Sequence, residues 1–158
     1  MKNLIVLFAL IVSSVCFAQA SMETSSFTTI DIDSDATIEI RYSPSAKIQS
    51  SGSMDDLKSM VSTSANRLNL KGGDSNSKMR IYTRSLNAIK VSGNANVTVE
   101  GFSSIDKLTV MTDENAKLDL GSTKINDLSI NQNGNSSVNS TGAATTMLIK
   151  DGNMVTMN

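Results

Sequence analysis

Apolar positions in the second half of the chain come in short pairs with one residue between them, and the pairs recur at a nearly constant spacing. The first member of each pair lies 19, 20 and 19 residues after the previous one, and a second pair of positions follows each first pair across a short polar turn. The first pairs are Ile89 and Val91, Leu108 and Val110, Leu128 and Ile130, Met147 and Ile149; the second pairs are Val97 and Val99, Ala116 and Leu118, Ser136 and Val138, Val155 and Met157. Apolar residues at i and i+2 indicate strands, and a fixed period of about 20 residues indicates a solenoid.

This pattern predicts an all-β protein whose repeats are the coils of a parallel β-helix with about 19–20 residues per coil. Because side chains alternate along a strand, Val99 and Leu118 should face a narrow core while Lys90 and Thr98 face solvent. Stacked coils share one core, which a single coil cannot form alone.

The first half of the protein repeats the same pattern less regularly. Ile30 and Ile32 are followed by Ile38 and Ile40 at the spacing of the later coils, and Pro44 then predicts a turn. Four further segments, residues 47–49, 57–61, 68–70 and 79–82, are predicted strands, and residues 55–59 leave a single helical turn as an alternative.

Asparagines occupy one column of the repeat. Asn96, Asn115 and Asn135 each come five residues after the second apolar residue of a pair. In stacked coils such a column would form an asparagine ladder, with each amide bonded to the next coil. Asparagine is also a common turn residue, so the column is open to that simpler interpretation.

Residues 1–20 have the features of a secretory signal peptide: Lys2, an apolar run over residues 4–12, and Ala18-Gln-Ala20 as a cleavage site after Ala18 or Ala20. Cys16 leaves a lipoprotein signal as an alternative, although the box before it is poor. Residues 21–158 then suit a single domain.

The composition excludes several classes of chemistry. The chain has no histidine and one cysteine, so imidazole-based catalysis and histidine metal sites are absent, and cleavage would remove the only thiol. Fourteen Lys and Arg residues balance 15 Asp and Glu residues without a long run of one sign, which predicts neither nucleic acid nor an anionic membrane as a partner. No apolar run is long enough to span a membrane. We therefore expect no catalytic residues, no metal and no cofactor.

Two constellations could suggest otherwise. Asp31, Asp33 and Asp35 resemble the opening of a calcium loop, but Ala36 stands where that loop needs glycine and no glutamate closes it. A second set consists of Arg80, Arg84 and Asp113, since polysaccharide lyases on β-helices combine a basic catalytic residue with acidic calcium ligands. The acidic residues of this chain are scattered, however, and a solvated outer face explains them better.

Four stretches of the chain are relevant to its family: FTTIDIDSDATIEIRYSPSAKIQ, which begins at Phe27, MDDLKSMV, NRLNL and LNAIKVSGNANV. Together they resemble a known family, the "putative auto-transporter adhesin, head GIN domain" family of secreted bacterial proteins. The resemblance runs from about Ser26 to Asn158. It implies a right-handed, single-stranded β-helix with an adhesin-like role.

The sequence thus predicts a non-catalytic binding module that is exported across the inner membrane to the periplasm, cell surface or exterior. Its ligand would be a surface, a glycan or a protein. A self-assembling, curli-like structural subunit is the alternative, because residues 153–158 form an uncharged, alternating strand at the open end of the last coil. Weak self-association through that C-terminal coil is therefore also predicted. A polysaccharide-active enzyme is the least favoured option.

Overall fold

The computed structural model describes residues 20–155, and these form an all-β protein with one short helix. The elements, in chain order, are β1 (Ala20–Glu23), β2 (Thr29–Asp33), β3 (Thr37–Tyr42), β4 (Lys47–Ser50), α1 (Met54–Met60), β5 (Val61–Ser64), β6 (Arg67–Lys71), β7 (Lys78–Thr83), β8 (Ala88–Ser92), β9 (Asn96–Glu100), β10 (Ile105–Thr112), β11 (Lys117–Asp119), β12 (Ile125–Gln132), β13 (Ser137–Asn139), β14 (Ala143–Lys150) and β15 (Asn153–Val155). The predicted signal peptide falls mostly on residues 1–19, outside the described residues, and its last residue, Ala20, is the first residue of β1. No helix within residues 20–155 is long and apolar enough to cross a membrane.

The strands form two mixed sheets that enclose the core. The seven-stranded sheet has the order β1-β4-β7-β3-β9-β11-β13, and the eight-stranded sheet has the order β15-β14-β12-β10-β8-β2-β6-β5. From β8 to β14 the chain alternates between the two sheets, and every pair formed among these strands is parallel. Antiparallel pairs occur only toward the ends of the two sheets.

The repeat steps are less uniform than the sequence pattern suggests. Ile89 pairs with Val110 rather than with Leu108, a step of 21 residues instead of 19. Leu128 pairs with Leu108 as predicted, but its partner on the next strand is Thr146 rather than Met147, a step of 18 residues instead of 19. Of the three predicted steps between strands, the second is therefore correct, the first is wrong by two residues and the third is wrong by one residue.

The first pair of alternating strands lies in the middle of the stack. Strand β2 has β6 on one side and β8 on the other, while β3 has β7 on one side and β9 on the other. The chain therefore builds outward from β2 and β3 in both directions, an order that the repeat spacing does not contain.

Buried apolar side chains fill the space between the sheets. Val99 and Leu118 are 3% and 2% exposed, as the alternation predicts, while Lys90 faces solvent and Thr98 is half-buried. The buried hydroxyl of Ser136 has two partners: it donates to Asn133 O at 2.7 Å and lies 2.9 Å from the hydroxyl of Thr112. Burial on parallel strands explains why Ile, Leu and Val dominate these positions.

The segment 57–61 is not a strand; it contains the end of helix α1 and the first residue of β5. Ser53 caps the helix, because its hydroxyl accepts from Asp56 N at 3.1 Å while the Asp56 carboxylate accepts from Ser53 N. This reciprocal capping box stabilises the helix start, and Leu57 anchors the helix on the core with no exposed surface.

Within the described residues, only the first strand of the predicted fourth coil is present: β14 pairs in parallel with β12, but the second strand does not follow in the seven-stranded sheet. Strand β15 turns back and pairs antiparallel with β14 in the eight-stranded sheet, so Val155 is 39% exposed, and Met147 is 45% exposed. Asp151 and Gly152 form the two-residue turn, with φ of 48° and 79°. Met157, the other predicted core residue, lies outside the described residues.

Candidate functional site

The outward side of the seven-stranded sheet carries an almost unbroken array of polar side chains. Strands β4, β7, β3 and β9 direct Ile48, Ile81, Ile40 and Val99 into the core, so the intervening residues point to solvent. We call this surface the polar face. Its members are Lys47, Gln49, Lys78, Arg80, Tyr82, Thr37, Glu39, Arg41, Asn96, Thr98 and Glu100.

Three ion pairs link side chains of the polar face, two of them between strands and one within β3. Arg80 Nε donates to Glu39 Oε2 at 2.8 Å, and Arg41 Nε lies 3.2 Å from the same oxygen. Arg41 Nη2 donates to Glu100 Oε2 at 3.0 Å, which extends the network to β9. The Glu39 carboxylate raises the pKa of Arg80, so this side chain stays cationic.

This network contributes more to orientation than to stability. Arg41, Arg80 and Glu100 expose 41%, 43% and 55% of their side chains, and ion pairs this exposed contribute roughly 0–1 kcal/mol each. A cross-linked network nevertheless restricts the rotamers of the side chains that it joins. A ligand that contacts the polar face would therefore meet charges already held in place.

A tyrosine joins the array on strand β7. Tyr82 donates its hydroxyl to Gln49 Oε1 at 3.1 Å, and Lys47 Nζ lies 4.7 Å from the centre of its ring. At the end of β3, Tyr42 is 48% exposed and meets Phe102 edge-to-face, with ring centres 5.9 Å apart. The polar face thus combines charged, amide and aromatic groups on one surface.

A shallow groove of about 370 Å³ borders the polar face beside β4 and β7. Its wall includes Asn76, from a loop that Asp74 organises: Asp74 Oδ1 accepts from Ser77 N at 2.9 Å and from Asn76 N at 3.0 Å. The Ser77 hydroxyl, with these backbone groups, lowers the pKa of Asp74. The loop is therefore ordered by a carboxylate that stays ionised at neutral pH.

The predicted asparagine ladder needs one correction. Asn115 donates its amide to Asn94 Oδ1 at 2.9 Å, and Asn94 in turn donates to Asp35 Oδ1 at 2.8 Å. Asn96 instead lies opposite Lys117, so the predicted pairing of Asn96 with Asn115 is wrong. Asn135 follows Asn115 through a backbone bond, Asn135 N to Glu114 O at 2.8 Å; a side-chain ladder through Asn135 stays a prediction.

Two of the three residues considered for calcium, Asp31 and Asp35, have other partners. Asp31 lies 3.4 Å from Arg67 on the eight-stranded sheet, whereas Asp35 bonds Asn94 at a corner between the sheets. Within residues 20–155 no three residues among His, Cys, Asp and Glu are grouped so that they could hold a metal ion.

The lyase-like set is likewise divided among separate contacts. Arg80 pairs with Glu39, Arg84 Nη2 lies 3.5 Å from Pro44 O, and Asp113 accepts from Glu114 N at 2.8 Å. Each side chain is thus engaged by a different neighbour.

The pairing of Glu39 with Arg80 is a feature of the polar face that the sequence did not identify. Alternation predicts that both side chains point outward, but they are 41 residues apart and only the parallel register of β3 and β7 makes them neighbours. Opposite charges at outward positions of two predicted strands could have indicated this pair, but many other pairs of residues in the chain have the same feature.

A family model described as "Putative auto-transporter adhesin, head GIN domain" matches residues 26–153. Solved structures with similar folds include a "putative adhesin" from Parabacteroides merdae (18% identity, TM-score 0.62, 78% of this chain and 55% of that one). Others are a "putative adhesin" from Bacteroides fragilis (20%, 0.65, 76% and 60%) and a "putative lipid binding protein" from Parabacteroides distasonis (10%, 0.67, 84% and 61%). The chain therefore spans less than two thirds of the length of these structures, and identities this low show the fold alone. Comparison with curated proteins finds no match.

Proposed function

Because the chain belongs to the family "Putative auto-transporter adhesin, head GIN domain", we propose that it is a non-catalytic, adhesin-like binding module that contacts its ligand through the polar face. The observation that carries the proposal is the cross-strand network in which Glu39 joins Arg80 and Arg41, and Arg41 joins Glu100. A sheet surface with fixed charges suits many simultaneous weak contacts to a glycan or a protein.

The architecture supports this function in a second way. The parallel stacking of β8 to β14 and the alternation between two sheets support a right-handed parallel β-helix of residues 21–158. Stacked repeats create an extended surface whose neighbouring rows lie about 4.8 Å apart, a geometry suited to a polymer or to another protein surface. Export by the signal peptide of residues 1–20 would bring this surface to the periplasm or the cell exterior.

A binding array of glycans and matrix proteins, probed with the purified protein, tests the proposal. We expect at least one specific ligand, and we expect the double substitution Arg41→Ala with Arg80→Ala to reduce binding about tenfold or more, since it removes two charged contacts. The matched control replaces Arg67 and Lys90 with alanine, because these cations lie on the eight-stranded sheet.

Three outcomes would contradict the proposal. Equal loss of binding in both double variants would remove the polar face from consideration, and absence of binding to every array member would count against an adhesin-like module. The same preparations should show no depolymerisation of acidic or neutral polysaccharides, with or without calcium. Turnover that disappears in Arg80→Ala or Asp113→Asn would contradict the non-catalytic role.

Self-association is a second candidate, favoured by exposed apolar side chains at the β14–β15 end of the eight-stranded sheet. Met147, Met154 and Val155 are 45%, 73% and 39% exposed, and Leu148 of β14 is only half-buried. Val155→Lys should suppress concentration-dependent oligomers in light scattering while leaving the fold intact. A protein that stays monomeric at high concentration without this change would eliminate the candidate.

A further inference from the structure

Strand β10 begins four residues before its pairing with β8. Thr109–Thr112 pair with Ala88–Val91, whereas Ile105, Lys107 and Leu108 pair only with β12, on the opposite side. The chain enters β8 almost directly from β7, which ends at Thr83 in the other sheet. Within residues 20–155, no strand lies beside residues 105–108 on the β8 side. We call residues 105–108 the ledge.

In the next strand, β12, the residues that correspond to the ledge have a strand on both sides. Ile125 of β12 pairs with Ile105 above it and with Ala143 of β14 below it. The Ile105 N–H donates toward β12, to Lys124 O at 2.8 Å. The ledge is therefore the outer edge of a stack formed by β10, β12 and β14, and its side toward β8 has no strand of the described chain beside it.

A cleft of about 500 Å³ lies against the ledge. One wall is the β7–β8 connection, residues 84–87, and the other includes Phe102 and Ser104 of the β9–β10 connection. Leu86, Phe102 and Ile105 line the cleft with exposures of only 2%, 9% and 6%, so their side chains form an apolar floor. Ser104, Asp106 and Lys107 are exposed at the rim.

The charges around the cleft are mostly cationic and unpaired. Arg84 and Lys107 form no ion pair with an acidic residue within residues 20–155, and the single bond of Arg84 is a 3.5 Å contact with Pro44 O. Asp106 is the one acidic lining residue, and its carboxylate already accepts from Asn126 Nδ2 at 3.2 Å. A carboxylate from a ligand would therefore find two cations without competing partners.

We propose that the cleft binds an extended peptide segment of a partner protein, which adds a short strand beside the ledge and directs an acidic side chain toward Arg84 and Lys107. Backbone groups alternate between the two sides of a strand, and the Thr109 N–H donates to Asn87 O on the β8 side, so the N–H and C=O of Lys107 face the same side. These two groups can form the backbone bonds of a short added strand. Alternation then places apolar side chains of the peptide over Leu86 and Phe102 on either side of the acidic one. This site is separate from the polar face and does not depend on the function proposed for it.

An acidic glycan is the competing ligand class. Sugars gain much of their affinity in protein sites by stacking on an open aromatic face, but Phe102 is 9% exposed and engages Tyr42 edge-to-face. A free strand edge, by contrast, is a feature that only a polypeptide backbone can use. The structure therefore favours a peptide.

The test titrates the ¹⁵N-labelled protein with blocked pentapeptides that have Glu at the centre and Val, Leu or Phe on both sides of it. We expect amide shifts concentrated at residues 105–108 for at least one of these peptides. Peptides with Lys at the centre should bind about tenfold more weakly, and so should an N-methylated copy of the best binder, which keeps the side chains but loses backbone donors. Trigalacturonic acid serves as the glycan probe.

Substitutions then locate the contact. Arg84→Ala and Lys107→Ala should each weaken binding several-fold, whereas Lys90→Ala, a lysine on the neighbouring strand outside the cleft, should leave it unchanged. The proposal is overturned if no glutamate peptide shifts the ledge amides at several millimolar, if the N-methylated peptide binds as well as its parent, or if trigalacturonic acid shifts the ledge and the peptides do not. The peptide comparisons use the unaltered protein, so they decide the matter even if a variant fails to fold.

Discussion

The corrected asparagine column gives a sharp prediction, because two asparagines two residues apart should behave differently. Asn94→Ala removes the 2.8 Å bond from its amide to the Asp35 carboxylate and the 2.9 Å bond that its carbonyl oxygen accepts from Asn115. The backbone bond from Asn94 N to Asp35 persists in the variant. Asn96→Ala is the matched control, since Asn96 is exposed and its side chain makes no hydrogen bond within residues 20–155.

The magnitude follows from the two lost bonds. A bond to a charged acceptor contributes about 1.5–3 kcal/mol and a neutral one about 0.5–1.5 kcal/mol, and solvent replaces part of both because the site is exposed. We therefore expect Asn94→Ala to lower the free energy of unfolding by about 1–2 kcal/mol, equivalent to a Tm about 3–6 °C lower. Asn96→Ala should change it by less than about 0.5 kcal/mol.

Urea denaturation followed by circular dichroism measures both variants on one scale. The double variant Asn94→Ala with Asn115→Ala should cost less than the sum of the single changes, since the two side chains share a bond. Equal costs for Asn94→Ala and Asn96→Ala, or strict additivity in the double variant, would refute the proposed column.

Three further predictions follow from the packing. Leu118→Asp should unfold the protein in thermal melts, because it buries an unpaired carboxylate, whereas Lys117→Asp, next to it but exposed, should fold normally; similar melts for both would contradict the register. Gly142→Ala should cost about 1–3 kcal/mol or prevent folding, since the added methyl group would lie 2.6 Å from Ser122 O and still closer to Thr123 O; a melting curve like that of the unaltered protein would show that this turn has more room. Asp74 has a lowered pKa, so its stabilisation of the loop should be complete above its ordinary pKa of 3.8 and be lost as the pH falls through the lowered value. NMR titration of the Asp74 carboxyl checks the shift, Asp74→Asn should abolish the transition, and a pKa at or above 3.8 would contradict the bonding.

Several features were present in the sequence itself. The i, i+2 apolar pairs predict which side chains enter the core, because alternation is a local property of extended backbone, and Val99, Leu118 and Ile130 are buried accordingly. Two local signals were available but not used. Ser53 and Asp56 have the spacing of a capping box, and Asp151-Gly152 is a dipeptide typical of two-residue hairpin turns. The capping box would have corrected the predicted strand at 57–61, and the turn dipeptide would have corrected the predicted fourth coil.

Only the tertiary structure decided the register and the strand order. Because side chains repeat every two residues, a shift of two keeps the same side chains inward, so alternation cannot distinguish a step of 19 from the observed 21 between Ile89 and Val110. That shift determines that Asn94 rather than Asn96 meets Asn115, and that β10 extends past β8 to leave the ledge. The insertion of β2 and β3 between later strands brings Glu39 beside Arg80. Residue spacing along one chain carries no information on which of several similar strands pack side by side, since that choice depends on the packing of all the strands together.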